Sequence, residues 1–460
     1  MTSGSLLQYL MDFKYLTSAQ LRGFDVYKYK SIDTSPLSKY VMHPFWNQAV
    51  KLCPLWLSAN VLTLLGWSLT VAVFLSLSYY DPHFMLAFDA AKGNSQIPRF
   101  VWLFCAFGQF MAHTLDGIDG KQARRTGTGS PLGELFDHGL DSTAAWLMGI
   151  GILSLFGLGD DTVWHWECYF IIVTVLFGFY IAHWEKYNTS VMFLPWAYDI
   201  SQIWLAGSYL ATFAFGLGLW KIPIPGFGGW TICPLFKRCF FFLVALVVVP
   251  FSLFNQYRAR KETPADCPTV IEGLMPLVSL FSVTSLFTLW GYISADQLII
   301  TQLRLFLVAY GLLYANLNCR LIVAQMSSNQ CDRFNVLALP IIPILIVSYL
   351  RLFSDTTILR CYTAFLVVAH IHYGVVVVQQ LCDHLNIYCF SVSKPPAKVD
   401  GQSSSANGVL QSKPASHDDK DDDANGAVMN GYADHSATRS GSFKKGIHDN
   451  GVRSRDSSAN

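Results

Sequence analysis

Long apolar runs separated by short polar segments fill the chain from residue 56 to residue 390. A run of about 20 apolar residues is long enough to cross a bilayer as a helix. Because lipid offers no water to backbone N–H and C=O groups, such runs are expected to be helical. The pattern predicts ten spans: Leu57–Tyr79, Phe100–Leu115, Leu140–Leu158, Val163–His183, Ile200–Trp220, Cys239–Asn255, Leu274–Ile293, Leu303–Val323, Val336–Phe353 and Thr357–Leu381.

Composition supports this interpretation, since 52% of the residues are hydrophobic and only 14% are charged. A soluble protein carries about 25% charged residues. We therefore predict an all-α integral membrane protein with about ten transmembrane helices. The net charge of +1 indicates no particular partner, and the lack of a large basic patch argues against nucleic acid.

Polar composition sets off both ends of the predicted membrane domain, residues 56–390. In residues 1–55, Leu, Tyr and Phe alternate with Lys and Arg. This pattern predicts a cytosolic segment with an amphipathic helix at the membrane interface, although a solvated leader fits equally well. Residues 391–460 predict a disordered polar tail. The even number of spans and the Lys/Arg clusters place both termini in the cytosol of a multi-pass protein.

Four aspartates stand out at the end of the second predicted span and the start of the third. Asp116 and Asp119 are three residues apart, and Asp137 and Asp141 are four apart, so each pair shares one helix face. Two facing helices would gather four carboxylates, whose repulsion requires compensation. Oxygen ligands favour Mg²⁺ or Mn²⁺, and a pair of such ions commonly clamps a reacting phosphate.

Small and basic residues lie between the two acid pairs. Gly120, Ala123 and Gly133 would let a ligand approach the backbone closely, and Lys121 and Arg124 would supply cations for phosphate oxygens. The pattern thus predicts a phosphate and metal site near a membrane surface.

These residues form the pattern D-x-x-D-G-x-x-A-R, eight residues, G-x-x-x-D-x-x-x-D, which resembles the signature of the CDP-alcohol phosphotransferases. The segments HPFWN, LSANVLTLLG, AHWEKYNTS and LPWAYDISQ are similar to the eukaryotic ethanolamine and choline phosphotransferases. HWEKYNT and LPWAYDISQ resemble the ethanolamine-specific branch. In animals that branch often ends in a selenocysteine-containing tail, and this chain shows no such residue.

The resemblance implies the CDP-alcohol phosphotransferase fold and transfer of phosphoethanolamine from CDP-ethanolamine to diacylglycerol, giving phosphatidylethanolamine and CMP. It implies two Mg²⁺ (or Mn²⁺) ions on the four aspartates, a homodimer, and an endoplasmic reticulum or Golgi membrane. Implied substrate contacts are Asn60, Gly120, Lys121, Ala123, Arg124, Gly133 and Glu134. Rival interpretations are a cholinephosphotransferase or dual-specificity enzyme, and a polytopic transporter with intramembrane acids.

A catalytic base must take the proton of the lipid hydroxyl, and two residues are candidates. The resemblance assigns this role to Asp141, but nearby cations make a metal-bound carboxylate a weak base. His138 titrates near neutrality, so we favour His138 as the base and keep Asp141 as a ligand. The alternative for His138 is to orient Asp137 or Asp141.

Three further polar residues near the ends of predicted spans are candidates for head-group or acceptor contacts. Glu185 lies at the end of the fourth span, where lining the acceptor entrance and capping the helix are equally plausible. Asp199 and Gln202 open the fifth span and could accept hydrogen bonds from an ammonium group. A helix N-cap is the alternative for Asp199.

Overall fold

A computed structural model of the chain describes residues 12–85, 97–159, 163–194 and 197–393. Helices dominate these residues, and two short strands pair in parallel: β1 (Ser31–Asp33) and β2 (Met192–Leu194). The helices are α1 (Ser18–Val26), α2 (His43–Ala49), α3 (Ala59–Tyr80), α4 (Arg99–Thr126), α5 (Pro131–Phe156), α6 (His165–Thr189), α7 (Ala197–Phe215), α8 (Ile232–Glu262), α9 (Val270–Ile293), α10 (Leu298–Thr301), α11 (Leu303–Met326), α12 (Ile341–Tyr349) and α13 (Asp355–Leu385).

Each of the ten predicted spans overlaps one of these helices, which confirms the all-helical membrane class. Seven helices in the described ranges are long and apolar enough to cross a membrane: α3, α5, α6, α8, α9, α11 and α13. The other three predicted spans correspond to α4, α7 and α12. Of the predicted tail over 391–460, all but residues 391–393 lie outside the described residues, so its disorder stays a prediction.

Local capping joins α4 and α5 into a helical hairpin that carries the four aspartates. Gly127 ends α4 in the left-handed conformation (φ 65°), and the Thr128 N–H donates to the Ala123 carbonyl at 3.0 Å. Ser130 caps α5 by accepting from the Gly133 N–H, and Pro131 follows in the first turn. Because the caps determine where the helices end, both extend past the apolar runs and include the charged motif.

The centre of the bundle is formed by α5 and α11, which pack against each other. In their most apolar stretches, 72% of α5 and 89% of α11 is buried, against 11% of α8. Gly311 on α11 allows this close packing, because a Cβ there would lie 2.5 Å from the Trp146 ring on α5. The start of α5, with its acids, is therefore anchored to the most deeply buried pair of helices among the seven candidate spans of the described residues.

The N-terminal segment ahead of α3, hereafter the leader, packs on the end of the bundle that bears the aspartates. A Cβ on Gly23 of α1 would lie 2.1 Å from the Ser327 carbonyl oxygen after α11, so the two backbones touch. The Leu16 N–H donates to Gln380 Oε1 of α13 at 3.1 Å. The pairing of β1 with β2 places the leader beside the segment that connects α6 to α7. The predicted interfacial position of the leader stays a prediction.

We expect Gly311→Ala to lower the midpoint of thermal unfolding of the detergent-solubilised protein. The added methyl group would press on Trp146, and such overpacking costs about 1–3 kcal/mol. Gly374→Ala is the matched control, because Gly374 is exposed on α13 with no atom within 4 Å of the new Cβ. That substitution should leave stability unchanged or raise it by up to about 1 kcal/mol. Equal midpoints for both variants would contradict the close packing of α5 on α11.

Candidate active site

Three of the four aspartates meet near the turn that joins α4 to α5. Asp116, Asp119 and Asp137 each offer a carboxylate oxygen, and these oxygens lie within 4.8 Å of one another. Asp141 lies one turn further along α5, and its carboxylate interacts electrostatically with Asp116 and Asp119. The structure therefore brings three of the four predicted acids together.

The donor set of this cluster fits a hard divalent cation. All three residues offer carboxylate oxygens, the ligand type that Mg²⁺ and Mn²⁺ prefer. Asp137 Oδ1 is buried and has no hydrogen-bond partner among the described residues. A buried carboxylate oxygen without a partner is unfavourable unless a ligand or ion satisfies it. The residues therefore fit a metal centre.

Glu134, one turn before His138 on α5, accepts two part-buried hydrogen bonds on the same oxygen. The Tyr27 hydroxyl donates to Glu134 Oε1 at 2.7 Å, and the Lys186 ammonium donates to the same atom. Lys186 is only 1% exposed, and its Nζ lies 4.8 Å from the centre of the Tyr29 ring. Burial and the Glu134 carboxylate raise the pKa of the Tyr27 phenol, which therefore stays a proton donor.

His138 is buried between the Glu134 group and the aspartates. Its Nδ1 lies 3.8 Å from Glu134 Oε1, and its Nε2 lies 3.9 Å from Asp137 Oδ2. The His183 ring of α6 packs against it at 5.3 Å between centroids. One ring nitrogen thus faces a carboxylate that can orient it, while the other faces the acidic cluster.

The predicted small residues differ in what surrounds them. A Cβ on Gly120 would have only Arg124 Nη1 nearby, at 3.8 Å, and a Cβ on Gly133 would lie 3.5 Å from Asn60 Oδ1. Protein packing alone would tolerate alanine at both positions, so these spaces are free for a ligand. Gly117 is different, because a Cβ there would lie 2.1 Å from the Trp46 ring. Gly117 therefore serves packing.

The other predicted substrate contacts lie around the same end of the hairpin. Asn60, in the first turn of α3, donates through Nδ2 to the Cys389 carbonyl oxygen at 2.8 Å. Lys121 Nζ donates to Asn47 Oδ1 at 2.7 Å. Ala123 and the exposed Arg124 lie in the last turns of α4. Their predicted roles in substrate binding stay predictions.

The three predicted head-group or acceptor residues are buried and have protein partners. Glu185 Oε1 accepts from Asn255 Nδ2 of α8 at 2.8 Å. Asp199 Oδ1 lies 2.8 Å from His113 Nε2, and Asp199 Oδ2 accepts from the Ser38 hydroxyl. Gln202 Oε1 accepts from Gln109 Nε2 at 2.5 Å. These contacts join helices, and a role in recognising the head group stays a prediction.

Sequence reasoning missed the residues that support the site from other elements. Tyr198 on α7 donates to Asp116 Oδ2 at 2.8 Å, and Thr63 on α3 donates to Asp119 Oδ2 at 2.5 Å. Tyr27 and Tyr29 come from the leader. A buried hydroxyl gives no periodic signal in a sequence, so only the packing of these elements reveals the contacts.

Comparison with known proteins identifies the class. The CDP-alcohol phosphatidyltransferase family matches residues 56–235. Ethanolaminephosphotransferase 1 of Mus musculus is 41% identical over 386 residues, or 83% of this chain and 96% of the mouse protein. The Homo sapiens protein of the same name is 41% identical over 385 residues, with the same coverage. Choline/ethanolaminephosphotransferase 1 of Arabidopsis thaliana is 29% identical over 403 residues, or 81% of this chain and 96% of the plant protein.

The helical membrane bundle and the paired acidic helices therefore define a divalent-metal-dependent phosphotransferase of the membrane. The chain belongs to the CDP-alcohol phosphatidyltransferase family. Within that family it is more similar to the two mammalian ethanolaminephosphotransferases than to the plant choline/ethanolamine protein.

We expect Lys186→Met to destabilise the protein, because it leaves the Glu134 carboxylate buried without its cation. Removing one partner of a buried ion pair costs about 3–5 kcal/mol. Thermal unfolding of the purified protein measures the effect. Lys237→Met is the matched control, since Lys237 pairs with Glu167, whose side chain is 38% exposed. That loss should be below about 1 kcal/mol.

A double variant, Glu134→Gln with Lys186→Met, should recover part of the lost stability because it also removes the unpaired charge. If the double variant is no more stable than Lys186→Met, the ion pair is not the source of the loss.

Proposed function

We propose that the protein transfers phosphoethanolamine from CDP-ethanolamine to diacylglycerol and releases phosphatidylethanolamine and CMP. The observation that carries this proposal is the complete motif on the α4–α5 hairpin, with three carboxylates within 4.8 Å of one another. The names of the two mammalian relatives support ethanolamine as the head group.

Asp116, Asp119, Asp137 and Asp141 would hold two divalent cations, Mg²⁺ or Mn²⁺. When bound, the cations would neutralise the diphosphate of the donor and the charge that develops on the CMP leaving group. The partnerless Oδ1 of Asp137 supports its assignment as a ligand. Lys121 and Arg124 would contact phosphate oxygens, with Arg124 able to make bidentate contacts.

In the reaction, the diacylglycerol hydroxyl oxygen attacks the phosphorus that carries the ethanolamine group. A new phosphoester bond forms, the P–O bond to CMP breaks, and the hydroxyl proton passes to His138. His138 is preferred over Asp141 because its Nε2 faces the cluster while its Nδ1 faces Glu134. Glu134 would keep the ring oriented and stabilise it once protonated.

The space beside the small residues of the hairpin suggests where the remaining substrate contacts would lie. Gly120, Ala123 and Gly133 would accommodate the nucleotide, with Asn60 as a polar contact to the donor. Glu185, Asp199 and Gln202 stay candidates for the head group or the acceptor, provided that a ligand replaces or joins their present partners.

The site lies at one end of the bundle, where a soluble donor can arrive from water and diacylglycerol can arrive from the lipid. We place this end and both termini at the cytosolic surface of the endoplasmic reticulum or Golgi membrane, since the Lys/Arg clusters belong to it. The leader and the last helix, α13, meet there through Leu16 and Gln380. A homodimer is the proposed assembly.

A head-to-head assay tests the choice of donor. The purified protein would receive diacylglycerol, Mg²⁺ and either CDP-ethanolamine or CDP-choline, and we expect a strong preference for CDP-ethanolamine. Asp137→Ala provides the blank, because it removes a metal ligand and should abolish both activities.

Equal use of both donors would instead favour a dual-specificity enzyme, in line with the name of the plant relative. Ion flux in proteoliposomes without any lipid product would favour a transporter.

We expect His138→Ala to reduce turnover roughly 10²–10⁴-fold, the usual contribution of a general base, with little change in the affinity for CDP-ethanolamine. Initial rates and equilibrium binding of the donor in the presence of Mg²⁺ measure the two quantities. His165→Ala is the control, since His165 begins α6 at the opposite end of the bundle. If His138→Ala lowers turnover and donor affinity to the same extent, His138 is not the general base.

A further inference from the structure

We propose that the hydroxyl groups of Tyr198 and Thr63 hold Asp116 and Asp119 in the orientation that binds a divalent cation. Both would be positioning residues, since they act through the carboxylates and do not touch the substrates. The proposal rests on the metal site of the proposed function. It adds two elements, α3 and α7, to a site that the motif confines to α4 and α5.

Each hydroxyl contacts its carboxylate directly, and the two hydroxyls belong to different helices. The Tyr198 hydroxyl in the first turn of α7 donates to Asp116 Oδ2 at 2.8 Å. The Thr63 hydroxyl in the second turn of α3 donates to Asp119 Oδ2 at 2.5 Å. Each hydroxyl thus engages one oxygen of its carboxylate. Outer hydrogen bonds of this kind orient metal ligands and raise their affinity for the ion.

The chemistry of these donors suits a carboxylate that must still bind a cation. A lysine or arginine would neutralise the carboxylate and compete with the metal for it. A hydroxyl stabilises the carboxylate and restricts its rotation without adding a positive charge. By contrast, Glu134 at the same end of α5 is paired with the Lys186 ammonium. Glu134 is therefore suited to orient His138, while Asp116 and Asp119 are suited to bind metal.

A ladder of side-chain contacts holds α7 against α4 and keeps Tyr198 in place. The helices run antiparallel, and three successive contacts pair their residues in opposite order: Tyr198 with Asp116, Asp199 with His113, and Gln202 with Gln109. The Ser38 hydroxyl from the leader also donates to Asp199. Asp199 and Gln202 thus serve to fasten the helix that delivers the Tyr198 hydroxyl.

Thr63 can be compared with a threonine two turns further along α3. Both Thr63 and Thr70 are buried, and each hydroxyl faces the carbonyl oxygen four residues earlier, at 3.2 Å and 3.3 Å. The second contact of Thr63, to Asp119, distinguishes the two. Thr70→Val is therefore a matched control for Thr63→Val.

The experiment measures Mn²⁺ affinity of the full-length protein in detergent, without substrates, by electron paramagnetic resonance. Tyr198→Phe and Thr63→Val should each weaken Mn²⁺ binding about 10–100-fold. The Mg²⁺ concentration for half-maximal transfer should rise in parallel. Tyr209→Phe, a buried tyrosine on the same helix, and Thr70→Val should match the wild type. Thr63→Ser keeps the hydroxyl and should also retain wild-type affinity.

Unchanged Mn²⁺ affinity in Tyr198→Phe and Thr63→Val overturns the proposal, whatever happens to the rate. A loss of affinity in Thr63→Ser as large as that in Thr63→Val also overturns it, because the methyl group and not the hydroxyl would then be responsible. If both substitutions weaken Mn²⁺ binding but the wild type uses neither CDP-ethanolamine nor CDP-choline, the positioning role stands and the proposed function fails. If the wild type transfers the head group but binds no Mn²⁺, the metal site and the positioning role fail, while the proposed head-group transfer stands.

Discussion

Repulsion among carboxylates at the end of a membrane bundle is the constraint on which the rest of this structure depends. Asp116, Asp119 and Asp137 place oxygens within 4.8 Å of one another, an arrangement that is unfavourable without compensating cations or donors. The α4–α5 hairpin can hold such a cluster because the buried core of α5 and α11 fixes its position. The stability of the core thus offsets the repulsion among the carboxylates.

The surroundings divide the acidic residues into two groups. Asp116 and Asp119 receive neutral hydroxyls, and Asp137 keeps an oxygen without a partner. Glu134 receives a buried ammonium and a phenol. Metal binding needs negative charge that is still available, whereas orienting a histidine needs a carboxylate that does not move. The same functional group, a carboxylate, therefore stands in two different environments, which its hydrogen-bond partners define.

Much of the fold follows from local signals. Apolar runs predict the spans, and Gly127, Ser130 and Pro131 determine the turn between α4 and α5. The predicted ends of the spans were less accurate. Helices α4 and α5 continue through charged residues, which hydropathy alone assigns to a loop. The parallel pairing of β1 with β2 had no detectable signal, since three-residue strands far apart in the chain show no periodicity.

The sequence by itself determined the membrane class, the two acid pairs and the small residues beside them, because helical spacing puts each acid pair on one face. Only the tertiary structure decided which groups from distant elements support these acids. Thr63, Tyr198 and Tyr27 come from α3, α7 and the leader, and nothing in their local sequence sets them apart from other buried polar residues. Long-range packing brings each of them within hydrogen-bond distance of a carboxylate, and a single sequence does not encode that proximity in any local pattern.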